Sequence, residues 1–363
     1  AGVLAVGAGL RLVELGRWPP MVHLDTAECG LRGLAILAGR VPDVFDFSPW
    51  YHTPYLSFLP YAASYATLGS GILALRLPSA ITGTLALLAL SLFARRWFGA
   101  AVALPATALM ATSHVAIHFS RIGLWNVQTV FYELAAFAAL AAALARRQLG
   151  AMYLAGVFSG LALYAYTAGR LIPLVVLAYL ATLLGGRARR RVPPLAAVYL
   201  AGLGLAALPL ALNYVKDPSV LEADRAASVW VLAADNREHV SATIGSDAPA
   251  AVLAHQVLQT LRGFATIGDT SSQYGTAQPM LVPWAALLAL VGTVLVARRW
   301  RDPRHRFLLV WGLLGLLLAS VLVLDPPSYT RLVVIDPLLA LLVALPLAAA
   351  LRWLRRRLPV AGL

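Results

Sequence analysis

Apolar runs of about twenty residues recur along the chain, and they decide what it can fold into. Met280–Ala297 is one of them and contains no charged residue. At ~1.5 Å per residue, a helix of that length crosses most of a hydrocarbon core ~30 Å thick. Lipid offers the backbone no hydrogen-bond partner, so only helices or a closed barrel can cross it. The alternating ten-residue strands of a barrel are absent from the sequence. The fold class predicted is all-α, a polytopic transmembrane helix bundle. Only 12% of the residues are charged, too few to clothe a soluble domain of this length.

About ten spanning segments are expected, near 1–17, 77–94, 99–117, 127–145, 149–166, 171–186, 194–212, 279–297, 307–324 and 332–351. Arg clusters follow every second one: Arg95 and Arg96, Arg146 and Arg147, Arg187 to Arg191, Arg298 to Arg306, and Arg352 to Arg357. The positive-inside rule makes that side cytoplasmic and puts both ends of the chain there, in a plasma (inner) membrane. A net charge of +13 would suit nucleic acid, but Arg at the ends of apolar runs is a topology signal, so no nucleic-acid partner is expected. Cys29 stands alone, which excludes an intrachain disulfide. The start at Ala1, inside an apolar run, reads as a missing or removed N-terminus rather than an intact signal peptide.

The domain organisation expected is a single transmembrane domain, 1–363, with its long loops outside. Loop 18–76 carries a helix over Asp25–Ala38, and loop 213–278 carries an amphipathic helix over Ala250–Phe264. The latter sets Leu253, Val257, Leu258, Leu261 and Phe264 against His255, Gln256, Gln259 and Arg262, the pattern of a helix on a membrane surface or packed on the bundle. A Walker A loop, an Asp-x-Asp pair and a G-x-S-x-G elbow are all missing, against an ATP-driven pump or a cytosolic nucleotide-sugar transferase.

The first long loop holds the clearest chemistry. Asp25 and Glu28 are spaced i, i+3, on one helical face. Either carboxylate can serve as general base toward an acceptor hydroxyl or amine; alternatively Asp25 is a helix N-cap and Glu28 an exposed acid.

At this point the sequence resembles a known family. Asp25-Thr-Ala-Glu28, His52-Thr-Pro54-Tyr55, Leu75-Arg76-Leu-Pro78-Ser79 and His118-Phe-Ser120-Arg121-Ile-Gly123 are similar to the bacterial membrane glycosyltransferases of the GT-C fold. Within them the resemblance is to the family 39 group, related to protein O-mannosyltransferases and aminoarabinose lipid A transferases. Asp217-Pro218 with Arg225, Gly268-Asp269, Pro326-Pro-Ser-Tyr-Thr-Arg331 and Asp336-Pro337 extend it over nearly the whole chain. The resemblance implies a polyprenyl-phosphate sugar donor used on the outer face, with Asp25 as catalytic aspartate. Relatives follow that aspartate directly with Glu; here Thr26 stands there, with Glu28 two residues on.

The physical chemistry of such a donor points to arginine. A departing phosphate needs its charge stabilised, and Arg does so with two aligned donors and no metal. Arg121, Arg170 and Arg331 stand at external ends of predicted helices, where they can converge on one phosphate or anchor their helices at the headgroups. His52 and Tyr55 are further candidates for donor contacts. His114 and His118 are spaced as metal ligands can be, without an evident third, so no cofactor is required and a divalent cation is left open. Glu133 and Asp336, inside predicted spans, are expected to pair with the external Arg set. Trp125, Tyr164, Tyr166 and Tyr329 form an interfacial belt or a sugar platform. Sugar transfer to an extracytoplasmic lipid, glycan or protein is the leading expectation. The alternative is a non-catalytic membrane subunit that keeps a transferase bundle, with protein partners in a larger complex.

Overall fold

The computed structural model describes residues 2–186, 189–222, 229–269, 271 and 274–357. Arg187 and Arg225, both used in the sequence argument, lie outside the described residues. Among the described residues the secondary structure is helical, with two isolated β-bridges. The first ten α-helices are α1 (Gly2–Leu12), α2 (Leu24–Leu37), α3 (Leu59–Leu68), α4 (Ile72–Phe98), α5 (Ala100–Thr112), α6 (His114–Arg121), α7 (Asn126–Arg146), α8 (Leu149–Ala162), α9 (Leu171–Leu183) and α10 (Val192–Lys216). Beyond them we number α11 (Ala234–Ile244), α12 (Pro249–Ala265), α13 (Pro283–Arg298), α14 (Pro303–Leu316) and α15 (Asp336–Arg357).

The chain is a multi-pass membrane protein. Among the described residues, five helices are long and apolar enough to cross a membrane, and six if the bent pair α5–α6 is one span. Each of the ten expected segments holds a helix, but α1, α8, α9 and α13 fall below that length, so helix length alone does not yield ten crossings. The bend of 55° in α5–α6 falls at Ser113, whose hydroxyl caps α6 by accepting from the Ala116 amide and donates to Asp336 at 3.0 Å.

Two kinds of contact hold the bundle. Small residues let backbones meet: a side chain at Gly156 or Gly160 would overlap α10, and one at Gly202 would overlap the backbone of Tyr153 on α8. This is the small-residue packing by which helices associate where water supplies no driving force. Aromatic rings fill the centre between α4, α7, α9 and α14, where Phe93, Trp97, Phe137, Tyr179, Phe307 and Trp311 touch edge to face or at a tilt.

Buried arginines fasten the start of the chain. Arg11, fully buried, bonds Ser120 and the carbonyls of Gly7, Met110 and Ala111. Arg76 on α4 reaches the carbonyls of Leu15, Pro19 and Met21. The strap before α2 is thereby fixed, and α2 with it. At the far end of α4, ~30 Å away by helix rise, Arg304 donates to the Trp97 carbonyl and Arg306 to that of Thr182, which gathers Arg-bearing turns together.

Asp336 and Glu133 do not pair with the external arginines. Asp336 accepts from Ser113 and feels the charge of Arg11, while Glu133 is fully buried and makes no ion pair among the described residues. Asp336 opens α15 and Glu133 lies two turns into α7, and both are buried.

Candidate active site

At the loop end of the bundle lies a cavity of about 680 Å³. It is walled by α2, the 51–54 loop, the α6–α7 and α8–α9 connections, α11, α12 and the segments around 269–274 and 324–331. Four of the expected site residues line it: Asp25, His52, Arg170 and Arg331. They come from four separate parts of the chain.

Asp25 sits in the first turn of α2, with no side-chain cap bond; His23 holds the N-cap position. Its carboxylate is therefore not spent on the helix end, and it faces the Tyr274 hydroxyl across the cavity wall. Burial and that carboxylate push the Tyr274 phenol far above its usual range, so Tyr274 keeps its proton and stays a donor. Its ring also meets His23 edge-on at 5.7 Å.

His52 is held in an unusual backbone. Tyr51 and His52 have φ of 52° and 48°, and the Thr53 amide donates to the Trp50 carbonyl. That is the arrangement of a type I′ turn, normally filled by Asn and Gly. The flanking Phe47 and Pro54 form a bridge that imposes it. Two bulky residues with positive φ strain the turn, and both line the cavity.

Arg170 ends the short turn before α9 and lies 3.5 Å from the Tyr214 hydroxyl. Arg331 donates to the Leu324 carbonyl and lies near Asp269. Asp269 accepts the Ser271 and Tyr329 amides, each at 2.8 Å. Burial raises its pKa, an effect opposed by those amides and by Arg331.

The other expected residues are placed elsewhere. Glu28 pairs with Arg32 one turn on in the same helix, at 2.5 Å, and does not line the cavity. Arg121 donates to the carbonyls of Leu10 and Trp18, so it clamps the first helix instead of reaching a ligand. Tyr55 turns to Arg32. The residue after Asp25 faces inward: Thr26 is fully buried and packs on Gly123. The carboxylates that line the cavity with Asp25 are Asp269 and Asp325, from other loops, and not Glu28. Of the four aromatic residues, Trp125 and Tyr166 line the cavity, 5.7 Å apart. Tyr329 instead lies within hydrogen-bond distance of the Gly263, Ile267 and Gln278 carbonyls, and Tyr164 bonds Ala206. His114 and His118 face the backbone of Gln278 and Tyr274. No group of three or more His, Cys, Asp or Glu is placed to hold a metal among the described residues.

Tyr214, Tyr274 and Gln256 also line the cavity, and sequence reasoning did not assign them a role there. Their one signal was position, in or beside the second long external loop.

Residues 52–212 match the family model described as dolichyl-phosphate-mannose-protein mannosyltransferase. No curated protein matches the sequence. Among solved structures, the Archaeoglobus fulgidus oligosaccharyltransferase crystallised with Zn and sulfate is 19% identical, with a TM-score of 0.64, over 98% of this chain and 50% of its own. ArnT from Cupriavidus metallidurans bound to undecaprenyl phosphate is 16% identical, with a TM-score of 0.63, over 94% of this chain and 58% of its own. The archaeal oligosaccharyltransferase AglB from Archaeoglobus fulgidus, with an inhibitory peptide and a dolichol-phosphate, is 17% identical, with a TM-score of 0.61, over all of this chain and 52% of its own. The chain spans about half the length of these proteins. With the bundle, the loop-end cavity and the matched segment taken together, its fold is that of the GT-C membrane glycosyltransferases.

Proposed function

We propose that the chain is a membrane glycosyltransferase that moves a sugar from a polyprenyl-phosphate donor to an extracytoplasmic acceptor. The observation that carries this reading is the convergence of Asp25, His52, Arg170 and Arg331 on one cavity. A carboxylate and several cationic or imidazole groups are what such a transfer needs, and they come from segments that sequence leaves far apart. The similarity to structures holding undecaprenyl phosphate and dolichol-phosphate supports the donor class.

In this reading Asp25 takes the proton from the acceptor hydroxyl as its oxygen attacks the anomeric carbon. The bond from that carbon to the phosphate oxygen breaks, and polyprenyl phosphate leaves with the electron pair. Attack opposite the leaving group inverts the anomeric centre. Arg170 and Arg331 hold the phosphate and spread its charge, His52 contacts it, and Asp269 keeps Arg331 turned to the cavity. The Arg-bearing turns lie on the cytoplasmic side of a plasma membrane, and the cavity opens outside.

Asp25→Asn keeps the shape and removes the base. Transfer should fall by roughly 10²–10⁴-fold, with an unchanged unfolding midpoint and unchanged binding of dolichyl phosphate. Full activity in that variant would remove Asp25 from the reaction.

A further inference from the structure

Gln256 stands on the bundle-facing side of α12, one turn before Thr260, which bonds Ser320 at 2.8 Å. It is 1% exposed, and neither Oε1 nor Nε2 meets a partner among the described residues. A primary amide brings two donors and an acceptor with two lone pairs. Burying all of them unpaired is destabilising. The apolar residues around Val252, one turn earlier, show what would pack there comfortably. Gln256 borders the cavity, and a group entering the cavity can supply what the fold withholds.

The neighbouring wall narrows the choice. α11 and α12 present His239, Thr243, His255, Gln256 and Gln259 to the cavity, with no Arg, Lys or carboxylate from either helix. A phosphate, which accepts only, has its partners at Arg170 and Arg331. An acyl or prenyl chain offers neither donor nor acceptor. A sugar ring carries hydroxyls that donate and accept at once, and these complement an amide and a hydroxyl side by side.

We infer that Gln256 and the α11–α12 wall form a subsite that reads the hydroxyl groups of a sugar ring. The inference rests on the transferase reading and deepens it, because it separates sugar recognition from phosphate recognition. The ring belongs either to the donor or to a carbohydrate acceptor.

Binding to the full chain in lipid nanodiscs tests this. The probes are dolichyl phosphate, dolichyl phosphate bearing mannose, glucose, galactose or arabinose, and free oligosaccharides of the same sugars. The wild type should bind at least one sugar-linked lipid more tightly than the bare lipid, or bind an oligosaccharide. Gln256→Leu should weaken that sugar-dependent binding about tenfold, the loss of one neutral hydrogen bond. It should leave dolichyl phosphate binding unchanged and the unfolding midpoint unchanged or higher, and Gln256→Asn should retain part of the preference. Loss with the sugar-linked lipid alone assigns the subsite to the donor, and loss with oligosaccharide alone assigns it to the acceptor. The inference is overturned if Gln256→Leu keeps the preference, if the wild type shows no sugar-dependent binding, or if the variant loses stability and all ligands together. A wild type that binds no dolichyl phosphate would instead overturn the transferase reading.

Discussion

Three arginines of this chain look alike in sequence and do different work. Arg76 and Arg121 belong to the motifs that carry the family resemblance, yet their guanidinium groups close on backbone carbonyls of the strap and first helix. Arg331 faces the cavity. Arg76→Met should lower stability by about 2–4 kcal/mol, because it leaves three carbonyls without their charged donor; thermal unfolding in detergent measures it. Asp269 has a pH signature. Its folded pKa is raised, so the folded chain holds this proton where the unfolded chain has released it. The folded state is then favoured most below the ordinary carboxylate value and loses that advantage as pH rises through the raised one. Asp269→Asn should flatten the decline of the unfolding midpoint across that window; a midpoint profile parallel to the wild type would show that Asp269 does not titrate there. Cys29 is fully buried, and burial raises its thiol pKa. A maleimide should label it at neutral pH only after unfolding.

At the level of elements, the informative pair is α8 with α10. Gly156, Gly160 and Gly202 let the two backbones touch, and no side chain fits there. Gly156→Leu should destabilise by about 1–3 kcal/mol or more, as overpacking does, whereas Gly150→Leu, with open space around it, should be nearly neutral. Helix α12 has its expected limits almost to the residue, Pro249–Ala265. Its orientation is less obvious from the pattern. Val257, Leu258 and Leu261 are exposed, and Gln256 and Thr260 turn to the bundle. Exposed apolar residues on the outer face, with Gln256 and Thr260 turned inward beside Val252, are the reverse of the usual soluble surface helix and suit a helix lying at a membrane surface.

For the whole molecule, the arrangement places every cavity-lining segment at one end and ties several Arg-bearing turns at the other. Single cysteines introduced into a Cys29→Ala background test the sidedness. A membrane-impermeant thiol reagent applied to intact cells should label Ser246→Cys and leave Arg147→Cys unmodified. Labelling of both, or of the second alone, would reverse or break the proposed topology.

The sequence by itself determined the helical class, the positions of the helices and the side on which Arg accumulates. All three follow from local rules, since apolar length and flanking charge act through the segment that carries them. It also marked four site candidates: Asp25 by its spacing from Glu28 and by the family resemblance, His52 by that resemblance, and Arg170 and Arg331 by their places at helix ends. Only the tertiary structure decided which of the marked residues meet. Glu28 found Arg32 four residues away, Arg121 was taken up by the first helix, and Asp269 arrived beside Arg331 from a distant loop. The Glu28–Arg32 pair is an i, i+4 spacing that the chain carries locally; the other two outcomes depend on how helices pack and which carbonyls they leave unpaired, and no spacing along the chain encodes those directly.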